Sequence, residues 1–250
     1  MAAYNAETTI EASINSVLSQ TYPNWELIIF DDCSTDSTAS IAEAFAIAEH
    51  KIRLFKGAKN SGVAMARNHA IEKAQGHWLA FLDSDDLWHE DKLEKQLRFA
   101  DEAGATITYT GTAYINESNI RYNYVLPAEE MLSYKSLLRR NIMSCSSVMV
   151  RRSVMIPFPQ GYMHEDYAVW LQLVKLAGHA YGINEPLLVY RMSGQSKSAG
   201  RIRSARMIYN AYRYVGFNKF IASFFTIRYA LHSISKRTRV KLGTSYSQTD

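Results

Sequence analysis

Two spacings of apolar residues alternate along the first 110 positions of the chain. Apolar residues three and four positions apart predict helices over 7–20, 35–48, 63–74 and 90–103. Continuous apolar runs of strand length lie between and after these segments, over 25–30, 52–55, 78–82 and 106–110. Strands that alternate with helices of this length are typical of a parallel sheet flanked by helices, so the pattern predicts an α/β fold.

The second half of the chain is less regular. We expect helices over 134–140 and 166–176, strands over 144–150 and 187–190, and helical structure again from Arg201 onward. The change of pattern predicts two regions, a catalytic domain over residues 1–200 and a helical tail over residues 201–250.

Two of the predicted strands end in acidic clusters. Asp31-Asp32 follows the strand 25–30, and Asp83-Ser84-Asp85 follows the strand 78–82. Ligands bind beyond the carboxyl ends of the strands in such sheets, which would bring both clusters to one edge. Carboxylates are hard oxygen ligands suited to Mg²⁺ or Mn²⁺. The alternative for each cluster is a turn that caps the following helix.

Other polar and aromatic residues flank these clusters, each with a purely structural alternative. Tyr4 offers a ring for stacking on a nucleobase, or packs at the edge of the core. Arg67, one turn inside the helix 63–74, points toward phosphates at the same edge, or is a solvated surface residue. Glu165 and Asp166 precede a helical segment, where either carboxylate is a candidate general base or a helix N-cap.

The order of these motifs resembles the family 2 inverting glycosyltransferases with the GT-A fold, and among them the bacterial enzymes of teichuronic acid, O-antigen or exopolysaccharide synthesis. The resemblance runs from Met1 to about Ser198, and six segments carry it: 3–7, 16–22, 31–36, 60–68, 81–86 and 165–167. It implies a GT-A fold, a Rossmann-like nucleotide-binding mixed sheet flanked by helices, with a C-terminal helical extension.

The resemblance also implies roles for individual residues. It implies nucleotide-sugar binding for Tyr4, Asn5, Asp31, Asp32, Arg67, Asp83, Ser84 and Arg191. Among these, Tyr4 would stack on the base, Asp31 and Asp32 would hold the base or ribose, and Arg67 would lie near the diphosphate. Asp85 would ligate the Mg²⁺ or Mn²⁺ that holds the diphosphate. Asp166 would be the catalytic base, with Glu165 beside it.

The sequence departs from the family pattern in two places. Relatives begin with an apolar strand of several residues before the Tyr-Asn pair, whereas only Met1-Ala2-Ala3 stands there in this sequence. Either the sequence begins late in that strand, or the sheet lacks a central member. Loss of the strand would expose its apolar neighbours and loosen the base pocket. The loop Ser193–Gly200, which would close over the diphosphate as a lid after Arg191, has no histidine, although many relatives have one.

The implied reaction is a single displacement with inversion. Asp166 would deprotonate an acceptor hydroxyl, which attacks the anomeric carbon while the metal at Asp85 stabilises the departing nucleoside diphosphate. The donor would be a nucleotide-sugar, namely a UDP-sugar, and the acceptor a glycan or a lipid-linked saccharide. A catalytically inactive nucleotide-sugar-binding subunit is the alternative.

Two other enzyme classes are disfavoured by missing motifs. A nucleotidyltransferase would need a Gly-rich segment with a basic residue near the N-terminus, and a dinucleotide-dependent dehydrogenase would need Gly-x-Gly-x-x-Gly after a strand. The sequence contains neither.

Composition and charge change this picture only in the tail. Apolar residues at 47% and charged residues at 21% are ordinary for a globular protein, and Cys33 and Cys145 fit neither a disulfide framework nor a zinc motif. The net charge of +4 divides into −7 over residues 1–190 and +11 over residues 191–250. Basic residues interleaved with aromatic ones are typical of a helix that lies on an anionic membrane, although the tail could also pack on the catalytic domain.

We therefore expect a cytoplasmic protein that residues 201–241 hold on the inner face of the plasma membrane. The sequence has no signal-peptide pattern and no uncharged apolar stretch of the ~18 residues that a membrane span needs. Nucleic acid is not an expected partner.

Overall fold

The computed structural model describes residues 1–192 and 201–242, apart from the side chains of Arg201 and of residues 232–242. The strands are β1 (Ala2–Ala3), β2 (Leu27–Asp31), β3 (Ile52–Lys56), β4 (Trp78–Ala80), β5 (Leu87–Trp88), β6 (Ile107–Asn116), β7 (Arg121–Leu126), β8 (Met131–Ser133), β9 (Met149–Arg151) and β10 (His179–Met192). The helices are α1 (Ile10–Leu18), α2 (Thr38–Ala48), α3 (Val63–Lys73), α4 (Lys92–Ala103), α5 (Tyr134–Leu137), α6 (Glu165–Ala177), α7 (Arg201–Tyr214) and α8 (Lys219–Leu242).

Two sheets lie side by side in the core. The smaller is parallel, with strand order β1-β2-β3. The larger has the order β4-β9-β6-β10-β5, with β7 added on β6 and β8 on β10. In the larger sheet β6 and β10 pair in parallel, and the other pairs are antiparallel. A single parallel bridge between Ala2 and Asp83 joins the two sheets, which confirms the predicted mixed sheet with flanking helices.

Each helix and strand predicted in the first 110 residues is present. Helix α1 buries Ile10, Ile14 and Val17 at helical spacing, and all five residues of β2 are buried. Local periodicity was sufficient here because each element presents one face or both faces to a single core.

The second half corrects several predictions. The predicted strand 144–150 is interrupted, because Cys145–Ser147 form a short 3₁₀ helix and only Met149–Arg151 pair as β9. The predicted strand 187–190 is the end of the much longer β10, which contains a register shift between Ile183 and Leu188. The sequence pattern does not predict strands β5, β7 and β8; β5 and β8 have only two and three residues.

Strand β1 contains two residues of the central strand, which is therefore short rather than absent. Ala3 pairs with Asp31, and the Met1 ammonium group donates a hydrogen bond to the carbonyl oxygen of Ile28 (2.7 Å). An apolar groove of about 600 Å³ continues from Met1 between β2 and β4. The groove thus lies at the amino end of β1, while the carboxyl end of β1, which leads to Tyr4, is paired with β2.

The tail region begins as part of the core. Helix α7 buries Met207, Ile208, Ala211 and Tyr212, and the Tyr212 hydroxyl donates a hydrogen bond to the carbonyl oxygen of Leu138 (2.7 Å). Helix α8 packs on α7 through the buried Ala222. Over the residues that the structure describes, neither helix has a stretch both long and apolar enough to span a bilayer.

Candidate active site

Residues Asp83–Asp86, here called the acidic loop, connect β4 to β5. The Ser146 hydroxyl ties both ends of this loop together, since it accepts a hydrogen bond from the Asp83 N–H (3.0 Å) and donates one to Asp86 Oδ2 (2.6 Å). Burial and the neighbouring Asp85 and Asp83 raise the pKa of Asp86 well above its usual range. Asp86 is therefore a buried structural member of the loop.

Arg191, at the end of β10, holds the other side of the acidic loop. Its N–H donates a hydrogen bond to Asp86 Oδ1 (3.0 Å), its Nε to the carbonyl oxygen of Asp85 (2.9 Å) and its Nη1 to Asn119 Oδ1 (2.6 Å). The guanidinium of this buried residue thus fixes the backbone of the loop, and its part in nucleotide-sugar binding stays a prediction. The predicted lid, Ser193–Gly200, lies outside the described residues.

Asp85 is the acidic-loop residue whose chemistry best suits a metal ion. Burial, and repulsion from Asp83, raise the pKa of Asp85 to about 6. A divalent cation would relieve this repulsion, and carboxylate oxygens are ligands that Mg²⁺ and Mn²⁺ prefer. The described residues contain no cluster of three His, Cys, Asp or Glu that could hold a metal. Phosphate oxygens of a bound nucleotide would complete the coordination, as is usual for Mg²⁺.

Arg67 links the acidic loop to the start of α6. Its Nη2 lies 2.6 Å from Asp83 Oδ1 and its Nη1 lies 3.0 Å from Glu165 Oε1, and its guanidinium stands over the ring of Phe158. The Arg67 and Glu165 side chains are less than a tenth exposed. The sequence placed Arg67 near phosphates, and the structure shows that it first joins two carboxylates from opposite halves of the chain.

Asp166 lies in the first turn of α6, next to Glu165. Burial and the neighbouring Glu165 raise the pKa of Asp166, and a carboxylate with a raised pKa is a stronger base. The helix is fixed below it by Tyr167, whose hydroxyl donates to the carbonyl oxygen of Leu137 (2.8 Å), and by Trp170, which packs against Phe158. Asp166 keeps some exposed surface, which a base that meets an acceptor needs.

The loop that carries Tyr4 is braced against the loop after β2. Asn5 has a positive φ of 46°, and its Oδ1 accepts a hydrogen bond from the Thr35 N–H (2.8 Å), while its N–H donates to the Ser34 hydroxyl (3.0 Å). Tyr4 itself is 48% exposed, so about half of its surface is available to a ligand. Its stacking on a base stays a prediction.

Asp31 and Asp32 shape two turns at this edge. Asp31 accepts hydrogen bonds from the N–H and the hydroxyl of Ser34. Asp32 accepts from the N–H (2.9 Å) and hydroxyl (2.8 Å) of Ser61 and from the N–H of Gly62 (2.7 Å), where a φ of 88° favours glycine. Each carboxylate oxygen has two lone pairs, so these turns leave acceptor capacity for a ligand. Ser84, between the two candidate carboxylates, is half-buried.

Sequence reasoning missed three residues that support the site. Ser146 was assigned to a strand interior, Asn119 to no role, and Asn68 only to a motif. The Asn68 side chain makes two hydrogen bonds to the backbone of Phe158. Its Nδ2 donates to the Phe158 carbonyl oxygen (2.9 Å), and its Oδ1 accepts from the Phe158 N–H (2.8 Å). Only Ser146, a hydroxyl residue beside Val148-Met149-Val150, gave a local signal, and the partners of all three residues are 60 or more positions away along the chain.

Comparison with known sequences assigns this fold to a class. The model of glycosyl transferase family 2 matches residues 1–157. TuaG of Bacillus subtilis, a glycosyltransferase named for teichuronic acid biosynthesis, is 38% identical over 94% of this chain and 94% of its own length. WfgD of Escherichia coli, a UDP-Glc:α-D-GlcNAc-diphosphoundecaprenol β-1,3-glucosyltransferase, is 36% identical over 82% of this chain and 81% of its own. The chain belongs to glycosyl transferase family 2.

Solved structures show the same fold. TarS of Staphylococcus aureus in complex with UDP-GlcNAc superposes with a TM-score of 0.73 at 18% identity, over 96% of this chain and 74% of that one. A mannosyltransferase of Pyrobaculum calidifontis with GDP-Man and Mn²⁺ superposes with a TM-score of 0.65 at 18% identity, over 94% of this chain and 73% of that one. The chain therefore has the GT-A fold of glycosyltransferases.

Proposed function

We propose that this glycosyltransferase catalyses the metal-dependent, inverting transfer of a sugar from a UDP-sugar to a hydroxyl group of a glycan or lipid-linked saccharide in cell-surface polysaccharide synthesis. The observation that carries the proposal is the Arg67 bridge. Arg67 pairs with Asp83, two residues before Asp85, and with Glu165, next to Asp166, so it joins the segments that carry these two carboxylates. The reaction requires one carboxylate that ligates the metal and another that acts as the general base.

The donor side supports a nucleoside diphosphate sugar. The exposed ring of Tyr4 would stack on the base, and Asp31 and Asp32, with acceptor capacity left, would receive hydrogen bonds from the base or ribose. TarS, which shares the fold, binds UDP-GlcNAc, and this supports uridine as the nucleoside.

The chemical step needs one proton to move from the acceptor. Asp166 would take the proton from the acceptor hydroxyl, whose oxygen attacks the anomeric carbon as the bond to the nucleoside diphosphate breaks, so the configuration inverts. A divalent ion at Asp85 would stabilise the negative charge that develops on that diphosphate. Because the pKa of Asp166 is raised, activity should fall as the pH falls through that pKa.

The test is product formation from a panel of UDP-sugars, with UDP release measured in the presence of Mn²⁺ or of EDTA. We expect one donor to give transfer that EDTA abolishes, and nuclear magnetic resonance of the product to show inverted anomeric configuration. Transfer that persists in EDTA would contradict the metal, and retained configuration would contradict single displacement. UDP binding without turnover of any donor and acceptor would favour the inactive binding subunit.

We further propose that α8 places the enzyme on the cytoplasmic face of an anionic membrane. Its exposed apolar side chains recur at helical spacing: Phe220 at 86% exposed, Phe224 at 55%, Ile227 at 63% and Leu231 at 65%. Lys219 is exposed beside this stripe, and Arg228 stands over the ring of Phe224. An apolar stripe bordered by cations suits a surface of anionic lipid.

Binding to vesicles that contain phosphatidylglycerol tests this surface. The variant Phe220→Ser/Phe224→Ser should lower the vesicle-bound fraction at least about tenfold, because each buried Phe contributes about 2 kcal/mol. Ile47→Ser is the matched control, since Ile47 is 83% exposed on α2. Equal binding by both variants and the native chain would overturn the membrane assignment.

A further inference from the structure

A tyrosine and two arginines form a cationic cluster beside the candidate base. Arg203 Nε donates a hydrogen bond to the Tyr162 hydroxyl (3.2 Å), and the Arg206 guanidinium stands 5.9 Å from the centre of the Tyr162 ring. Asn210 Nδ2 donates to the Tyr162 carbonyl oxygen (2.6 Å), which fixes the loop on α7. We call Tyr162, Arg203 and Arg206 the arginine platform.

The arginine platform adjoins the start of α6. Ser204 Oγ, next to Arg203 in α7, lies 3.4 Å from His164 Nε2. His164 is two residues before Asp166 in the chain. The first turns of α7 thus lie against the segment that carries the candidate base.

The positive charges of the platform are not neutralised by acidic side chains within the part of the chain that the structure describes. Arg203 and Arg206 are exposed, and no acidic side chain there forms an ion pair with either of them. By contrast, Arg67 is held by two carboxylates, and Arg191 by a carbonyl and an amide oxygen. The platform therefore offers guanidinium groups to a ligand, and guanidinium forks bind phosphate in a bidentate manner.

We propose that the arginine platform binds the phosphate or diphosphate group of an anionic acceptor. The proposal rests on the proposed function, because it concerns the acceptor molecule whose hydroxyl group Asp166 would deprotonate. Helix α7 leads through a short turn to the apolar stripe of α8. An acceptor whose lipid lies at that stripe would have its phosphate on the platform and its sugar at Asp166.

The experiment compares a charged probe with its neutral counterpart. Farnesyl diphosphate and farnesol are titrated by calorimetry into the full chain, with saturating UDP and Mn²⁺ to occupy the donor side. We expect the native chain to bind farnesyl diphosphate at least about tenfold more tightly than farnesol. The variant Arg203→Ala/Arg206→Ala should lose this preference, and Tyr162→Phe should reduce it by about threefold because Arg203 loses its partner.

Arg98→Ala is the matched control, because it removes an exposed guanidinium from α4 and leaves both the platform and α8 intact. It should keep the preference for the diphosphate. No preference in the native chain, or an equal loss in Arg98→Ala and the double variant, would overturn the platform. UDP titration of each variant separates the two proposals. Failure of the native chain to bind UDP contradicts the proposed function. Normal UDP binding, with a preference for farnesyl diphosphate over farnesol that persists without the two arginines, contradicts only the platform.

Discussion

The cations inside this enzyme and those on its tail are used in opposite ways. Arg67 and Arg191 are buried and held by oxygens from distant parts of the chain. Arg203 and Arg206 are exposed and contact one tyrosine. The buried cations therefore belong to the framework that positions Asp85 and Asp166, and the exposed ones remain available to a ligand. Stability measurements and ligand-binding measurements should separate these two groups.

Arg67 should give the largest effect. Arg67→Met leaves Asp83 and Glu165 without their cation in a largely buried place, and we expect the free energy of unfolding in urea to fall by about 3–5 kcal/mol. Lys56→Met is the control, because its ion pair with Glu43 is about half exposed and should contribute less than about 1 kcal/mol. Similar losses in the two variants would mean that the Arg67 bridge is not structural.

Lys92 tests the effect of burial on an amine whose contacts are neutral groups. Its Nζ donates a hydrogen bond to Gln96 and stands 4.2 Å from the centre of the Trp88 ring, and burial lowers its pKa to about 7 from about 10.5. Between these pH values the unfolded chain binds more protons, so stability rises with pH, by about 2.5 kcal/mol from about pH 7.5 to 9.5.

The measurement is the free energy of unfolding at several pH values, compared with that of Lys92→Met. The difference between the two chains removes the contributions of other titrating groups, among them the Met1 ammonium group, whose pKa burial lowers to about 6. A difference that does not change with pH would show that Lys92 is not kept neutral by burial.

Arg191 should give a smaller loss of stability and a larger loss of activity. Arg191→Met removes the hydrogen bonds to the carbonyl oxygen of Asp85 and to Asn119, which we expect to cost about 2 kcal/mol of stability. The freed acidic loop should lower kcat by about 10–100-fold. Arg121→Met, at an exposed position of β7, should change neither quantity. A native kcat in Arg191→Met would contradict the positioning role.

The platform variant should give the smallest change of stability. Arg203→Ala/Arg206→Ala removes exposed side chains without ion pairs to described residues, so thermal unfolding should show a change within about 0.5 kcal/mol. A decrease in the free energy of unfolding above about 2 kcal/mol would show that these arginines stabilise the fold as Arg67 does, and would contradict the distinction between the two groups.

The sequence predicted the first half of the fold well because its elements are local. The period of apolar residues in α1 and the continuous apolar run of β2 are visible without knowledge of any partner. The segment 144–150 also has a local pattern that favours a strand, yet Ser146 makes its hydrogen bonds to Asp83 and Asp86, about 60 residues earlier, and residues 145–147 form a 3₁₀ helix. No local pattern contains that information.

The candidate site shows the same division. The motifs placed the candidate carboxylates, including Asp85 and Asp166, on the chain, but the ion pair between Arg67 and Glu165 joins residues 98 positions apart. From the sequence, the basic tail could lie on a membrane or pack on the catalytic domain, and the structure packs Tyr212 of α7 in the core. That contact depends on Tyr167 and Leu138, and it fixes where the exposed arginines stand.

The most direct test of the central claim is the transfer rate of Asp166→Asn with UDP-sugar donor, Mn²⁺ and acceptor. If Asp166 is the base, the rate should fall by about 10²–10⁴-fold, while the Kd for UDP stays within about twofold of the native value. Asp91→Asn, which alters a carboxylate at the start of α4, should leave the rate nearly unchanged. A rate for Asp166→Asn within about threefold of the native rate would contradict the account.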